Sequence, residues 1–197
     1  YLYLPPLHRA GYVAGDTDDV PEPTRGLSGG YVMDPEPGLY RNVVVLDFRS
    51  LYPSIIMTFL IDPLGLVLAD KERVHTPYGT SFARGAALLP SIIRELMEAR
   101  AEAKRTKNPY LSQAIKIIMN SFYGVLGTTG CRFFAEELAE SITATGRHLF
   151  TETVQHIQQT SGFRVIYGDT DSMFVLLGEK HDADGGAIGQ EIARETT

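Results

Sequence analysis

The sequence predicts an α+β fold: a mainly antiparallel sheet with packed helices, interrupted by an inserted α-helical hairpin. Three observations carry this. Two short runs, Phe163 to Tyr167 and Ser172 to Leu177, are joined by Gly168-Asp169-Thr170-Asp171, the pattern of a β-hairpin. A continuous apolar run, Val43 to Asp47, reads as a buried strand far upstream. Between them lie two helical periodicities, broken at Asn108-Pro109.

Taken in order, Gly15 to Gly30 is rich in Asp, Pro and Gly and reads as a loop or mobile entry segment. The strand Val43 to Asp47 delivers one aspartate at its end. Pro53 favours an extended or turn conformation at Tyr52, so the chain should leave the strand just after Asp47 and expose the amides of Ser50, Leu51 and Tyr52. Amides in such a turn can cradle phosphate oxygens. The plainer alternative is that Asp47 only ends a core strand and caps the next helix.

A short helix is expected near Ser54 to Phe59, then a Pro/Gly-containing connection from Asp62 to Leu89. A long helix follows, with Pro90 in its first turn, Glu95 and Glu98 ahead of Arg100, Lys104 and Lys107, and Asn108-Pro109 as its stop. The next helix, about Leu111 to Tyr123, folds back to make a helical hairpin. Its Ile115, Ile118, Met119 and Phe122 should cover one face, and Lys116, Asn120 and Tyr123 fall on another at i, i+4 and i+7. That stripe offers a cation, an amide and an aromatic ring, suited to a phosphate at one end and a base pair at the other. The alternative is an amphipathic helix whose polar face meets water. Glu136 to Gln159 reads as one long helix or two short ones beneath the β-hairpin.

The hairpin brings Asp169 and Asp171 together, since side chains at i and i+2 can point the same way. A bound Mg²⁺ would relieve the repulsion of two such carboxylates and use their hard oxygens. An isolated Asp-x-Asp recurs widely as a solvated turn, so the pattern alone leaves that alternative open.

Three segments in order, Asp47-Phe48-Arg49-Ser50-Leu51-Tyr52-Pro53-Ser54-Ile55-Ile56, Lys116-Ile117-Ile118-Met119-Asn120-Ser121-Phe122-Tyr123-Gly124 and Tyr167-Gly168-Asp169-Thr170-Asp171-Ser172, resemble motifs A, B and C of family B DNA polymerases, nearest to bacterial members. The likeness extends through Gly29 to Asp34, Pro37 to Tyr40, Phe59 to Pro63 and Gly127 to Phe134. The resemblance implies a template-directed DNA polymerase acting in replication or repair, with primer-template DNA and deoxynucleoside triphosphates as partners and, through the parent protein, a sliding clamp. It implies two Mg²⁺ ions, replaceable by Mn²⁺, on Asp47 and Asp171, with Asp169 and the carbonyl of Phe48 as further ligands. Arg100, Lys104 and Lys116 would bind the triphosphate with the amides of Ser50, Leu51 and Tyr52, Lys116 also assisting the leaving pyrophosphate. Tyr52 would exclude ribose, and Asn120, Tyr123 and Gly124 would line the base-pair pocket with it. By the same resemblance, residues 1–88 hold an N-terminal segment and the first part of a palm. Residues 89–126 are the fingers hairpin, and residues 127–197 the second part of the palm. No exonuclease domain or thumb is recognisable, and a chain opening on Tyr1 reads as a fragment.

Composition sets further bounds. With 197 residues, 44% of them hydrophobic, a substantial core can form. A net charge of −6 opposes general phosphate binding. Arg94, Arg100, Lys104, Arg105 and Lys107, however, gather the cations on the helical hairpin, while acidic residues concentrate near the ends and in the aspartate motifs. Arg105 and Lys107 read as solvated. The single Cys131 excludes an internal disulfide or a Cys-based zinc site and reads as a small buried side chain in a reducing, cytoplasmic setting. No apolar stretch approaches the roughly 20 residues that span a bilayer, so no membrane partner is expected. Asp16-Thr17-Asp18 and Asp182-Ala183-Asp184 lack the remaining ligands of a calcium loop. Two other classes remain: an Asp-x-Asp glycosyltransferase, which leaves the Lys116 helix and Leu51-Tyr52-Pro53 unexplained, and a nucleic-acid-binding fragment without autonomous catalysis.

Overall fold

A computed structural model of the chain describes residues 2–20, 22, 24, 26, 29–68, 71–181 and 184–196. Asp182 and Ala183, from the rejected calcium loop, lie outside the described residues, as do Pro21, Pro23, Arg25, Leu27 and Ser28 of the Gly15 to Gly30 stretch. The chain divides into two units: Tyr1–Ser28 with Tyr52–Thr145, and Gly29–Leu51 with Gly146–Thr197. Secondary structure is mixed, with seven α-helices and two small antiparallel sheets among the described residues. None of these helices is long and apolar enough to cross a membrane.

The second unit is built on a three-stranded antiparallel sheet of order β1-β5-β4, where β1 is Val43–Asp47, β4 Arg164–Asp169 and β5 Ser172–Leu176. Alternation along the strands turns Val44, Leu46, Val165, Met173 and Val175 to one face. There they pack with Phe150, Val154 and Ile157 of α6 (Glu136–Thr160) and Ile188 and Ile192 of α7 (Gly185–Glu195). The opposite face carries Asp47, Ser172 and Asp169. A register shift between Val165 and Tyr167 marks a bulge in β4. The outer edge of β4 is covered by residues 31–36: the Met33 amide donates to the Gly168 carbonyl at 2.9 Å and the Glu36 amide to the Ile166 carbonyl at 3.2 Å.

The first unit contains α1 (Leu4–Arg9), α2 (Leu51–Thr58, from Tyr52 onward), α3 (Pro63–Val67), α4 (Leu88–Arg105), α5 (Pro109–Leu126) and the start of α6. The stretch from Asp62 to Leu89, expected as an irregular connection, holds α3 and a hairpin of β2 (Arg73–His75) and β3 (Ser81–Ala83). Three-residue strands are too short to show a period of two. Arg73 ties the two together, its guanidinium donating to the carbonyls of Leu68 at 2.6 Å and Ser81 at 2.5 Å. Residues Asn108 and Pro109, expected to stop α4, instead start α5. Asn108 accepts the Leu111 amide at 3.1 Å as N-cap and Pro109 takes the first helical position, while α4 has already ended at Arg105. Likewise, Pro53 does not hold Tyr52 extended: both lie in the first turn of α2, where a proline needs no acceptor for a missing N–H. Of the Gly15 to Gly30 stretch, Thr17–Asp19 forms a 3₁₀ turn, and Thr24 donates through its amide and hydroxyl to the Glu136 carboxylate, the hydroxyl at 2.8 Å.

Candidate active site

The acidic site grows out of sheet register. Asp47 pairs with Ser172 on one side of β5 and Asp169 pairs with Ser172 on the other, so the three residues form a row across the open end of the sheet. Directly opposed residues share a face. The row therefore places Asp47, Ser172 and Asp169 on the side away from the α6–α7 core, with Asp47 and Asp169 two ladder steps apart, about 10 Å between Cα atoms. Both carboxylates are exposed. The Ser172 hydroxyl donates to Asp47 Oδ2 at 2.8 Å, and the Thr170 hydroxyl to Asp169 Oδ1 at 2.9 Å.

Asp171 enters through the backbone. The Phe48 amide donates to its carbonyl at 2.8 Å, which extends the β1–β5 ladder by one step and sets Asp171 beside the residue that follows Asp47. The connection is tighter than expected. Gly168 and Asp169 belong to β4, leaving only Thr170 and Asp171 between the strands, and the Asp171 amide reaches back to the Asp169 carbonyl at 2.6 Å. Thr170 sits at φ +55°, left-handed backbone that is uncommon for a β-branched residue. It is held there by its amide, which donates to the Tyr31 carbonyl at 2.7 Å, and by contact with Gly30, where a Cβ would lie 2.3 Å from the Thr170 hydroxyl oxygen. Sequence reasoning missed these supports. Ser172 and Thr170 were visible only as polar neighbours of the aspartates, and Gly30 and Tyr31 belong to a distant segment.

The chemistry of the donors suits a hard divalent cation: carboxylate oxygens, those of Asp47 and Asp169 each accepting from a neighbouring hydroxyl. Among the described residues no three His, Cys, Asp or Glu side chains, Asp47, Asp169 and Asp171 included, are grouped so that they could hold a metal ion. Mg²⁺ does not require such a group, since it is commonly bound by one or two carboxylates together with water and substrate phosphates.

In the first unit, α5 buries Ser112, Ile115, Met119 and Leu126. Ile118, expected on that face, is 40% exposed because it lies beyond the edge of this narrow buried arc. Lys116 and Asn120 are exposed and Tyr123 is half-buried, so the stripe flanks the buried face on its open side. Burial raises the Tyr123 phenol above its ordinary pKa. Its ring meets that of Tyr52 from α2, centroids 4.9 Å apart and planes tilted by 50°. Gly124 is exposed beside it. On α4, Arg100 has a buried Nε with no hydrogen-bond partner among the described residues. Lys104 is exposed near the hairpin tip, whereas Arg105 is taken by Glu102, its Nη2 to Oε1 distance being 2.6 Å. Ser50 adopts φ +56° just before α2, and Leu51, whose side chain is buried, opens the helix.

The model of DNA polymerase family B matches residues 1–197. The chain is 50% identical over 200 residues to DNA polymerase II of Escherichia coli K12, covering 98% of this chain and 25% of that protein. It is 40% identical over 164 residues to a DNA polymerase of Thermococcus gorgonarius, covering 76% of this chain and 21% of that one. The solved structure of the family B DNA polymerase from Pyrobaculum calidifontis superposes with a TM-score of 0.69 at 32% identity, over 91% of this chain and 26% of that chain. The chain thus spans about a quarter of the length of the relatives it matches. With its acidic sheet end, its helical hairpin and a family match running from first residue to last, the chain belongs to DNA polymerase family B.

Proposed function

We propose that this chain carries the nucleotidyl-transfer core of a template-directed DNA polymerase, with the β1-β5-β4 sheet as part of the palm and the α4–α5 hairpin as the fingers. The observation that carries the proposal is the row Asp47–Ser172–Asp169 at the open sheet end, with Asp171 locked beside Phe48. Asp47 and Asp171 would hold two Mg²⁺ ions, or Mn²⁺ in their place, with Asp169 and the Phe48 carbonyl as further oxygens. Bound there, the ions supply activation of the primer 3′-hydroxyl and stabilisation of the leaving oxygen. Ser172 is a positioning residue, its hydroxyl fixing the rotamer of Asp47.

The cations of the hairpin bind the phosphates of a deoxynucleoside triphosphate. The orphan Nε of Arg100 supports this, because a buried donor without an acceptor is costly and a phosphate oxygen satisfies it. Lys104 adds charge, and Lys116 supports the departing pyrophosphate. The first-turn amides of α2, with Ser50 ahead of them, offer further donors to phosphate. Tyr52, braced against Tyr123, presents a ring that leaves no space for a 2′-hydroxyl. Asn120, Tyr123 and Gly124 read the shape and minor-groove edge of the nascent pair more than its sequence.

Primer extension tests the reading directly. With Mg²⁺, primer-template DNA, low salt and all four deoxynucleotides, the chain is expected to extend the primer. Asp171→Asn should slow this by roughly a hundredfold or more, since even groups one shell removed from a metal cost 10–100-fold. Metal-independent DNA binding with no extension by the folded chain would favour the second reading, a nucleic-acid-binding piece without autonomous catalysis. The chain's quarter share of its relatives' length is the observation on that side.

A further inference from the structure

Thr170 holds a left-handed backbone, φ +55°, which a β-branched residue keeps only when its surroundings impose it. The contacts that impose it trace back to one ring. The Thr170 amide donates to the Tyr31 carbonyl at 2.7 Å, Val32 bridges Asp169 as an antiparallel neighbour, and the Met33 amide donates to the Gly168 carbonyl at 2.9 Å. Residues 31–33 thus form a strap along the segment that carries the aspartates, and the Tyr31 side chain anchors it. That ring meets Phe150 edge to face, centroids 5.4 Å apart and planes at 64°, while the Arg147 guanidinium carbon stands over it, 4.9 Å from the centroid. Arg147 and Phe150 lie three positions apart on α6, so one helical turn grips the ring from two directions. Phe150, buried to 1% exposure, also occupies the space over Gly168, which fixes that side of the grip. Arg147 is exposed and makes no ion pair among the described residues, so its charge is directed at the π face of Tyr31.

We infer that Tyr31 and Arg147 are positioning residues for the aspartate turn. The guanidinium holds the ring, the Tyr31 carbonyl holds the Thr170 amide, and the left-handed Thr170 fixes where Asp169 and Asp171 stand on either side of it. Gly30 permits the close approach, since a Cβ there would lie 2.3 Å from Thr170 Oγ1 and 3.0 Å from its Cγ2. Both residues act through Thr170 rather than on a bound group. The inference deepens the divalent-cation reading of the sheet end and rests on it, because the set of this turn matters to function through the carboxylates it presents.

Two NMR readouts on the folded, isotope-labelled chain test this. Without metal, the intraresidue amide-to-α-proton NOE of Thr170 reports the short distance that a positive φ gives. With trace Mn²⁺, broadening at the Asp171 and Ser172 amides reports cation affinity. Because Arg147 is exposed, Arg147→Ala keeps the fold; it should weaken the NOE and lower Mn²⁺ affinity about two- to fivefold, the range of an exposed cation–π contact, with Arg147→Lys recovering most of the loss. Tyr31→Leu also loses the ring pair with Phe150 and should lower affinity about tenfold or more, whereas Tyr31→Phe retains the ring and both readouts. Gly30→Ala should likewise cost about tenfold by pushing on Thr170, and should cost nothing further in a chain that already carries Thr170→Gly. An NOE and an affinity at parent values in Arg147→Ala and Tyr31→Leu, with only the urea midpoint lowered, would make these residues structural and overturn the inference. A lost NOE with unchanged Mn²⁺ affinity would overturn it too. Absence of Mn²⁺ broadening in the parent chain sinks the cation-site reading itself, and the inference with it.

Discussion

Gly168 has no side chain because Phe150 occupies the space. A Cβ added there would lie 2.1 Å from the Phe150 ring, an overlap that neither the β4 backbone nor a ring buried to 1% exposure can relieve cheaply. Gly168→Ala should therefore cost about 1–3 kcal/mol of stability, the range for overpacking a filled core, read as a lower urea midpoint. A midpoint equal to that of the parent chain would refute this packing. From sequence the same glycine is a turn marker, since Gly beside Asp-Thr-Asp carries that signal. Its real constraint comes from a helix 18 positions earlier. The left-handed residue is Thr170, which no propensity would select and which Tyr31 and Gly30 hold in place. The aspartates themselves were legible, because their chemistry and spacing sit within one short segment. Their supporting hydroxyls and the Tyr31 carbonyl were not.

Between elements, one buried carboxylate joins three pieces of chain. Asp62 is fully buried; its Oδ1 accepts from the Tyr3 hydroxyl at 2.7 Å and from the Leu64 and Gly65 amides at 2.8 and 3.0 Å, and its Oδ2 accepts from the Leu89 amide at 2.6 Å. It thus caps α3 and the first turn of α4 while fastening the segment before α1. Burial pushes its pKa above the ordinary carboxylate value, opposed by the hydrogen bonds from Leu89, Tyr3, Gly65 and Leu64. Burial and the adjoining Asp62 carboxylate also raise the Tyr3 phenol well above its usual range. Because the folded chain keeps the Asp62 proton to higher pH than the unfolded chain, the stability linked to this group is greatest below the ordinary value of 3.8. It declines as pH rises from there to the raised value. Asp62→Asn cannot titrate and also turns a donor toward the Leu89 amide, so it should lower stability by about 1–3 kcal/mol. It should also lack that downward slope when urea midpoints are compared from pH 4 upward. Parallel profiles for the two chains would contradict this role. Helices α4, α5 and α6 were legible because their periodicity runs over many residues, whereas β2, β3 and α3 are too short to carry a pattern. Asp62 read as nothing more than a residue before a proline.

Across the whole chain, each unit is assembled from two separated stretches, so the aspartates of motifs A and C, distant in sequence, share one small sheet. The order of the motifs was legible because each is local and chemically specific. The division into units was not, because it depends on which distant segments pack together. Family membership removes the glycosyltransferase alternative, and within a chain of net charge −6 the α4–α5 hairpin is locally basic, with Arg94, Arg100, Lys104, Arg105, Lys107 and Lys116 against Glu95, Glu98 and Glu102. The central claim is that this sheet end is a divalent-cation site. Paramagnetic broadening of backbone amides by trace Mn²⁺ reads it without any need for catalysis. The account predicts broadening centred on Asp47, Phe48, Asp171 and Ser172, reversed by excess Mg²⁺ and weakened at least about tenfold by Asp47→Asn, as expected for loss of a ligand. Broadening centred instead on Asp16 to Asp18, or a pattern that Asp47→Asn leaves unchanged, would contradict it.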